Sequence, residues 1–256
     1  MTQNRPKRVV DLVFLVDVTG SMQPCIDGLK ASIKTFFDYL TDEDKNNLSI
    51  RDWRAKVVGY RDVAFDDDWI ENGPFSSSVD EVRAQIDALD AHGGGDEPES
   101  LIDALLTVAN MEESAKGEVA DGYMWRNKRD AARAIVVFTD ATYHPRAQRE
   151  DYNGADIDDL FQVFAQKRII LEVITPTEPE YVKHLELDSE KEKLRQSFKS
   201  CYEDMATLNQ SEWIKLKDAQ NMPVQFSELD KHRDLFRDFL AQLARTLSGS
   251  VDPVAL

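Results

Sequence analysis

The amino-acid sequence predicts an α/β protein: a doubly wound, mostly parallel open sheet with helices on both faces, folded as a single domain. Three observations point there. Five short β-type runs, at 9–16, 55–60, 135–138, 169–174 and 213–216, are mostly apolar throughout rather than alternating, the pattern of strands covered on both faces. Between them lie segments with apolar residues at helical spacing, and strand alternating with helix is the signature of an open α/β sheet. No internal repeat or low-complexity tract breaks that order.

The first run leads into a helix in which Ile26, Leu29, Ile33, Phe37 and Leu40 recur every three or four residues, with Pro24 tolerated in the first turn. After the 55–60 strand, Val79, Val82, Ile86 and Leu89 repeat the pattern, and Ser78 with Glu81 has the spacing of a capping box. A third helix is expected from Pro98, a favoured first-turn residue, with Leu101, Leu105 and Val108 inward. A helix over 156–166 leads into the 169–174 strand. The last begins near Ser227 and places Leu229, Phe236, Phe239, Leu240, Leu243 and Leu247 on one face. Two stretches fit the alternation badly. Residues 112–130 are polar, contain Gly117 and Gly122, and read as a loop excursion; residues 176–210 are long and charged, with a helix near 189–202, and read as a polar insertion. The domain is expected over 9–247, with tails at 1–8 and 248–256.

At 256 residues the chain can bury a substantial core without staples. It carries 31 Lys and Arg against 48 Asp and Glu, a formal charge of −17. That acidity argues against nucleic acid or an anionic membrane as a direct partner, because both are repelled over long range. Two cysteines, Cys25 and Cys201, exclude a disulfide framework and a thiolate-rich metal site. No apolar stretch reaches the roughly 18 residues of a membrane span. Lys7 and Arg8 before an apolar run copy a signal peptide superficially, but Asp11 interrupts that run. A cytoplasmic protein is expected.

In an open parallel sheet, ligands collect at the carboxyl ends of the strands, and three features gather there. The first strand ends in Asp17-Val18-Thr19-Gly20-Ser21-Met22, where alternation at 17, 19 and 21 lets one loop direct three oxygens at a point. The 135–138 strand ends in Thr139-Asp140. The loop before the third helix reads Gly93-Gly94-Gly95-Asp96-Glu97-Pro98-Glu99-Ser100. Hard oxygen donors without His or Cys favour Mg²⁺, Mn²⁺ or Ca²⁺ over zinc.

With these residues in place, the sequence resembles the von Willebrand factor type A (vWA) family, in particular its intracellular and bacterial branch. Its members fold as a doubly wound, Rossmann-like sheet and carry a metal-ion-dependent adhesion site, the MIDAS. The family motif Asp-x-Ser-x-Ser matches Asp17-Val18-Thr19-Gly20-Ser21, Thr19 keeping the hydroxyl of a serine. The late Asp of the family, at the end of the fourth strand, matches Asp140. Many members place a metal-binding Thr in the glycine-rich loop. Here Glu97 falls at that spacing, so either Asp96 or Glu97 takes over as ligand, with Asp96 favoured by the adjoining glycines.

The resemblance implies a Mg²⁺ (or Mn²⁺ or Ca²⁺) site drawn from Asp17, Thr19, Ser21, Asp96, Glu97 and Asp140. It implies a non-catalytic, metal-dependent protein–protein interaction module, whose partner is of the kinase, phosphatase or AAA ATPase kind that accompanies bacterial relatives, often in stress-response operons. A carboxylate supplied by the loop would cancel part of the ion's charge, holding metal more firmly while attracting an acidic partner less.

The alternative is an enzyme, a Mg-dependent phosphatase-like hydrolase with Asp17 as nucleophile. Such enzymes need an Asp two residues on for proton transfer, and Thr19 stands there instead. Neither a Gly-x-Ser-x-Gly elbow nor a Walker phosphate loop is present. Of the other residues near the strand ends, Asp62 reads as a structural ion-pairing group, His92 and His144 as solvated loop residues, and Cys25 as a partly buried, inert thiol.

Overall fold

A computed structural model describes residues 8–42, 50–94, 97–208, 211–218 and 220–251. Among these the strands are β1 (Val9–Asp17), β2 (Asp52–Tyr60), β3 (Ile70–Asn72), β4 (Ala132–Phe138), β5 (Ile169–Thr175) and β6 (Ser211–Lys215). They form one sheet in the order β3-β2-β1-β4-β5-β6, parallel throughout except for β3, which runs antiparallel to β2. The helices are α1 (Gln23–Thr41), α2 (Val79–Asp87), α3 (Leu101–Ala109), α4 (Ile157–Lys167), α5 (Asp188–Met205) and α6 (Arg233–Ser250). No helix among the described residues is long and apolar enough to cross a membrane.

The continuous apolar runs follow from burial on both sides. Along β1, Val10, Leu12, Phe14 and Val16 face the layer of α1, α2 and α6, while Val13 and Leu15 face the layer of α3, α4 and α5. All six are fully buried. Capping follows local chemistry. Ser78 accepts the backbone N–H of Glu81 at the start of α2, but the Glu81 carboxylate bonds Ser76 Oγ instead of closing the expected box. Asp156 and Asp159 do form a reciprocal box on α4.

Several boundaries differ from expectation. β3 has only three residues and a polar, half-exposed pattern, which left no apolar signal. Helix α3 starts at Leu101 rather than Pro98, because the Glu99 backbone is bonded to Thr142 O and His144 N. The last helix starts at Arg233, after a 3₁₀ turn at Phe226–Lys231, and runs to Ser250, with Val251 buried behind it. Residues 176–210 are more than a polar insertion: α5 buries Phe198, Tyr202 and Met205 and so completes one helix layer.

The 112–130 excursion is also packed rather than loose. It closes the amino end of the sheet over Asp11, a fully buried carboxylate that accepts from Arg54 Nη2 at 2.7 Å and from Arg126 Nε and N, each at 2.7 Å. Arg54 in turn donates to the carbonyls of Ala120, Asp121 and Met124. Trp125 is fully buried and donates its indole N–H to Val108 O. Removing one member of a buried ion network leaves the others uncompensated, typically at a cost of about 3–5 kcal/mol.

One buried charge on the sheet has no such compensation. Glu172 on β5 is 1% exposed, its Oε2 has no partner, and its neighbour across the β5–β6 register is Glu212. Burial, with Glu212 alongside, pushes its carboxyl up to about 8. A carboxyl raised on folding stabilises fully below its unfolded value and loses that contribution as pH rises through the folded value. Glu172→Gln, which keeps the neutral shape, is expected to remove this loss. In urea unfolding, variant and wild type should agree within about 1 kcal/mol near pH ~5, and the variant should be more stable by roughly 2–4 kcal/mol near pH ~9. Parallel pH profiles would count against this assignment.

Candidate metal centre

The strand order reverses between β1 and β4, and the crevice outside their carboxyl ends is where this topology places ligands. A cleft of about 490 Å³ lies there, lined by Thr19, Gly20, Ser21, Gly93, Gly94, Glu97, Glu99, Asp140, Ala141, Glu180, Tyr181, Lys183 and His184. Four loops build it. β1 runs through Asp17 into a 3₁₀ turn at Gly20–Met22, and Gly20 N bonds Gly93 O, joining this loop to the glycine-rich one. Gly94 has φ +70°, and a Cβ there would stand 2.7 Å from Thr19 Cβ, so the close approach of the two loops requires glycine.

Asp17 is fully buried beneath the cleft, with both oxygens engaged. Oδ1 accepts Thr19 N at 2.9 Å and Thr19 Oγ1 at 2.7 Å, and Oδ2 accepts Thr139 Oγ1 at 2.8 Å. Thr19 Oγ1 lies 3.5 Å from Ser21 Oγ, which donates to Asp140 Oδ1 at 3.1 Å. Four of the expected residues, Asp17, Thr19, Ser21 and Asp140, are therefore linked oxygen to oxygen across β1 and β4. Thr139, which sequence reasoning passed over as a strand-end residue, orients Asp17.

The glycine-rich loop divides its acids. Asp96 lies outside the described residues. Glu97 is held through Oε2 by Thr142 N at 3.1 Å and Thr142 Oγ1 at 2.6 Å. Glu99 was not among the expected ligands, yet it lines the cleft at 3% exposure. Its place is fixed by tertiary backbone bonds, Glu99 N to Thr142 O and His144 N to Glu99 O, both 3.0 Å. Three carboxylate oxygens here are buried without any hydrogen-bond partner: Glu97 Oε1, Glu99 Oε2 and Asp140 Oδ2. Orphaned buried acceptors are rare and call for a reason such as an absent ion.

Electrostatics agree. Burial raises Asp17, against the hydrogen bonds from Thr19 and Thr139. Burial and Asp17 hold Asp140 well above the usual carboxylate range. Burial raises Glu97, with Asp17 adding to it and Thr142 opposing. Burial, then the charges of Asp17, Asp62 and Asp66, push Glu99 up to about 10. A donor set of carboxylate and hydroxyl oxygens with no nitrogen or sulfur suits a hard divalent cation.

The surrounding residues hold the loops. Asp62 is buried and accepts from Ala64 N, Ser100 Oγ and, at 2.8 Å, bonds His144 Nε2, so His144 is a structural partner rather than a solvated loop residue. Glu180 N bonds Asp140 O, and its carboxylate takes Ser227 and Lys183, pinning the fourth wall. Cys25 is fully buried, and burial with Asp140 and Asp17 keeps its thiol protonated. Among the described residues one His/Cys/Asp/Glu trio has ligand atoms all within 4.8 Å, Asp66, Asp68 and His92. It is largely exposed, and the Arg61 guanidinium stands 3.1 Å from His92 Nδ1, where it opposes a cation. Among the described residues, Glu97, Glu99 and Asp140 do not form such a trio.

No protein-family model matches the chain. It is 28% identical over 164 residues to a protein named alpha-protein kinase vwkA from Dictyostelium discoideum, a match covering 61% of this chain and 23% of that protein. The chain thus spans under a quarter of that relative. Among solved structures, the pilus adhesin SpaC from Lactobacillus rhamnosus GG in its open conformation aligns with a TM-score of 0.53 and 12% identity, over 96% of this chain and 31% of that one. At that identity the likeness concerns the fold alone.

Glu99→Gln tests the strain of the crowded carboxylates. In chelator at pH ~7, the variant is expected to be more stable than wild type by roughly 1–3 kcal/mol in urea unfolding, since the amide replaces a carboxyl that must stay neutral. A less stable variant would show that Glu99 has a partner that its buried oxygen lacks here.

Proposed function

We propose that the protein is a vWA-like, non-catalytic interaction module that docks a partner protein at a MIDAS-type divalent-cation site. The observation that carries this reading is the set of unpartnered carboxylate oxygens on Glu97, Glu99 and Asp140, set beside the linked hydroxyls of Thr19 and Ser21 in one cleft. Finer features support the family resemblance: the doubly wound strand order, and Asp17 and Asp140 at the ends of adjacent strands.

When bound, a divalent cation supplies the positive charge that these donors and a partner group would share. Ser21, Asp140, Glu97 and Glu99 would hold it, while Asp17 and Thr139 orient the hydroxyls from beneath. The burial of Asp17, with both oxygens occupied, favours an orienting role over that of a nucleophile, which needs a free oxygen in reach of substrate. On the family resemblance, the reading takes the partner to be of the kinase, phosphatase or AAA ATPase class, in a cytoplasmic, stress-related setting. The Dictyostelium relative, named as a kinase, is compatible with that class.

Two results are expected. Excess divalent cation raises the unfolding temperature of the wild type through binding to the folded state, and Asp17→Ala abolishes most of that rise. Quantitative affinity capture retains a partner in the presence of cation and loses it with chelator and with Ser21→Ala, whose circular dichroism stays that of the wild type. A partner indifferent to both treatments, or turnover of a generic aryl phosphate that Asp17→Ala removes, would overturn the reading.

A further inference from the structure

The cleft outside β1 and β4 holds more acid than one ion accounts for. Glu99 and Asp140 are 3% and 2% exposed, line the cleft, and each keeps a buried oxygen without a partner. Glu97, half-buried beside them, keeps a third. A divalent ion bonded at about 2.0–2.6 Å draws its donors to within about 4–5 Å of one another. Glu97, Glu99 and Asp140 offer no set of oxygens that all lie within 4.8 Å. Glu97 is tethered through its other oxygen to Thr142, Asp140 to Ser21, and Glu99 by backbone bonds on both sides. Where these residues stand, one ion leaves part of the set over.

The walls add charge of the same sign. Lys183, on the fourth wall, already donates to Glu180 Oε2 at 2.8 Å. Asp66 Oδ1 lies 3.0 Å from where a Cβ on Gly93 would stand, so this carboxylate abuts the glycine-rich wall from outside. Phe65, next to it in the chain, is 70% exposed.

Resting on the reading of this cleft as the docking face, we propose that the partner enters it with an arginine side chain, whose guanidinium takes the carboxylate oxygens that an ion leaves unbonded. A guanidinium carries its charge at every working pH and presents five N–H donors in a planar fork, so it bonds two separate carboxylates at once. A lysine ammonium is a compact point charge and cannot bridge them in the same way. Buried carboxylates are costly to leave unpaired, and charge-assisted hydrogen bonds are the strong remedy. The Phe65 ring offers a face on which a neighbouring basic side chain of the partner stacks. The charge of −17 draws a basic segment in over long range, whereas it repels an acidic one.

The test is fluorescence anisotropy of the full chain against labelled peptides of four Gly-Arg, four Gly-Lys or four Gly-Glu repeats. It is run at ~0.15 M salt with saturating Mg²⁺, alongside thermal unfolding with and without that ion. The arginine peptide is expected to bind at least about fivefold more tightly than the lysine peptide, and the glutamate peptide not to bind. Glu99→Gln and Asp66→Asn should each weaken the arginine peptide roughly five- to tenfold, Asp66→Asn serving alone if Glu99→Gln misfolds. Glu118→Gln removes an exposed charge from the 112–130 excursion at the opposite end of the sheet, and should change affinity less than about twofold. Equal affinity for the arginine and lysine peptides, or a loss with Glu118→Gln as large as with Asp66→Asn, overturns the proposal. A thermal response to Mg²⁺ that persists in that case leaves the metal-docking reading standing. Arginine selectivity that needs Glu99 and Asp66, in a chain whose unfolding temperature ignores divalent cations, supports the proposal and overturns the metal reading alone.

Discussion

The structure turns on how it treats carboxylates taken out of water. Burying an ionised carboxylate without a partner is costly enough that such a group either finds a counter-charge or stays neutral. This sheet does both, at opposite ends. At the amino end, Asp11 is surrounded by the guanidinium groups of Arg54 and Arg126, and the polar excursion folds down to supply further acceptors. At the carboxyl end, Glu99 and Asp140 are buried and Glu97 half-buried, each with one buried oxygen that has no partner and, among the described residues, no basic side chain bonded to it. Charges that are paired read as architecture. Carboxyls left without a counter-charge in a cleft are the observation on which the metal-docking proposal rests.

Topology explains why the unpaired set gathers where it does. Because β1 and β4 are neighbours while the chain between them visits β2, β3, α2 and α3, the loops after β1, before α3 and after β4 all meet at one crevice. Each is pinned to the next by backbone bonds, Gly20 to Gly93, Glu99 to Thr142 and His144, and Glu180 to Asp140. A buried pair of tyrosines secures the third loop from behind, Tyr202 donating to Ala141 O and Tyr143 to Cys201 O. The site is therefore set on rigid supports, as a preorganised site requires.

What the sequence made legible follows from this physics. β1, β4 and β5 are covered on both faces, so their continuous apolar runs identify them; β3, three partly exposed residues at an edge, has no such requirement and leaves no trace. The Asp17-Val18-Thr19-Gly20-Ser21 string and Asp140 are readable because strand ends fix where they point. The Asp96-Glu97-Pro98-Glu99 string is less legible: the adjoining glycines favour Asp96 over Glu97, whereas the burial of Glu99 follows from tertiary backbone bonds to Thr142 and His144 that no local pattern announces. Residues 112–130 and 176–210 misled for a related reason. A single buried tryptophan, or three buried residues on a charged helix, carries the packing while the rest of the segment stays polar.

The central claim is that a cation belongs between Ser21, Asp140 and the glutamates of the glycine-rich loop. Anomalous diffraction from crystals soaked in Mn²⁺, an ion that scatters anomalously and shares the oxygen preference of Mg²⁺ and Ca²⁺, tests it most directly. The account predicts a peak in the cleft within bonding reach of Asp140 and Glu99. A cleft without a peak, with manganese at Asp66, Asp68 and His92 or nowhere on the molecule, would contradict it.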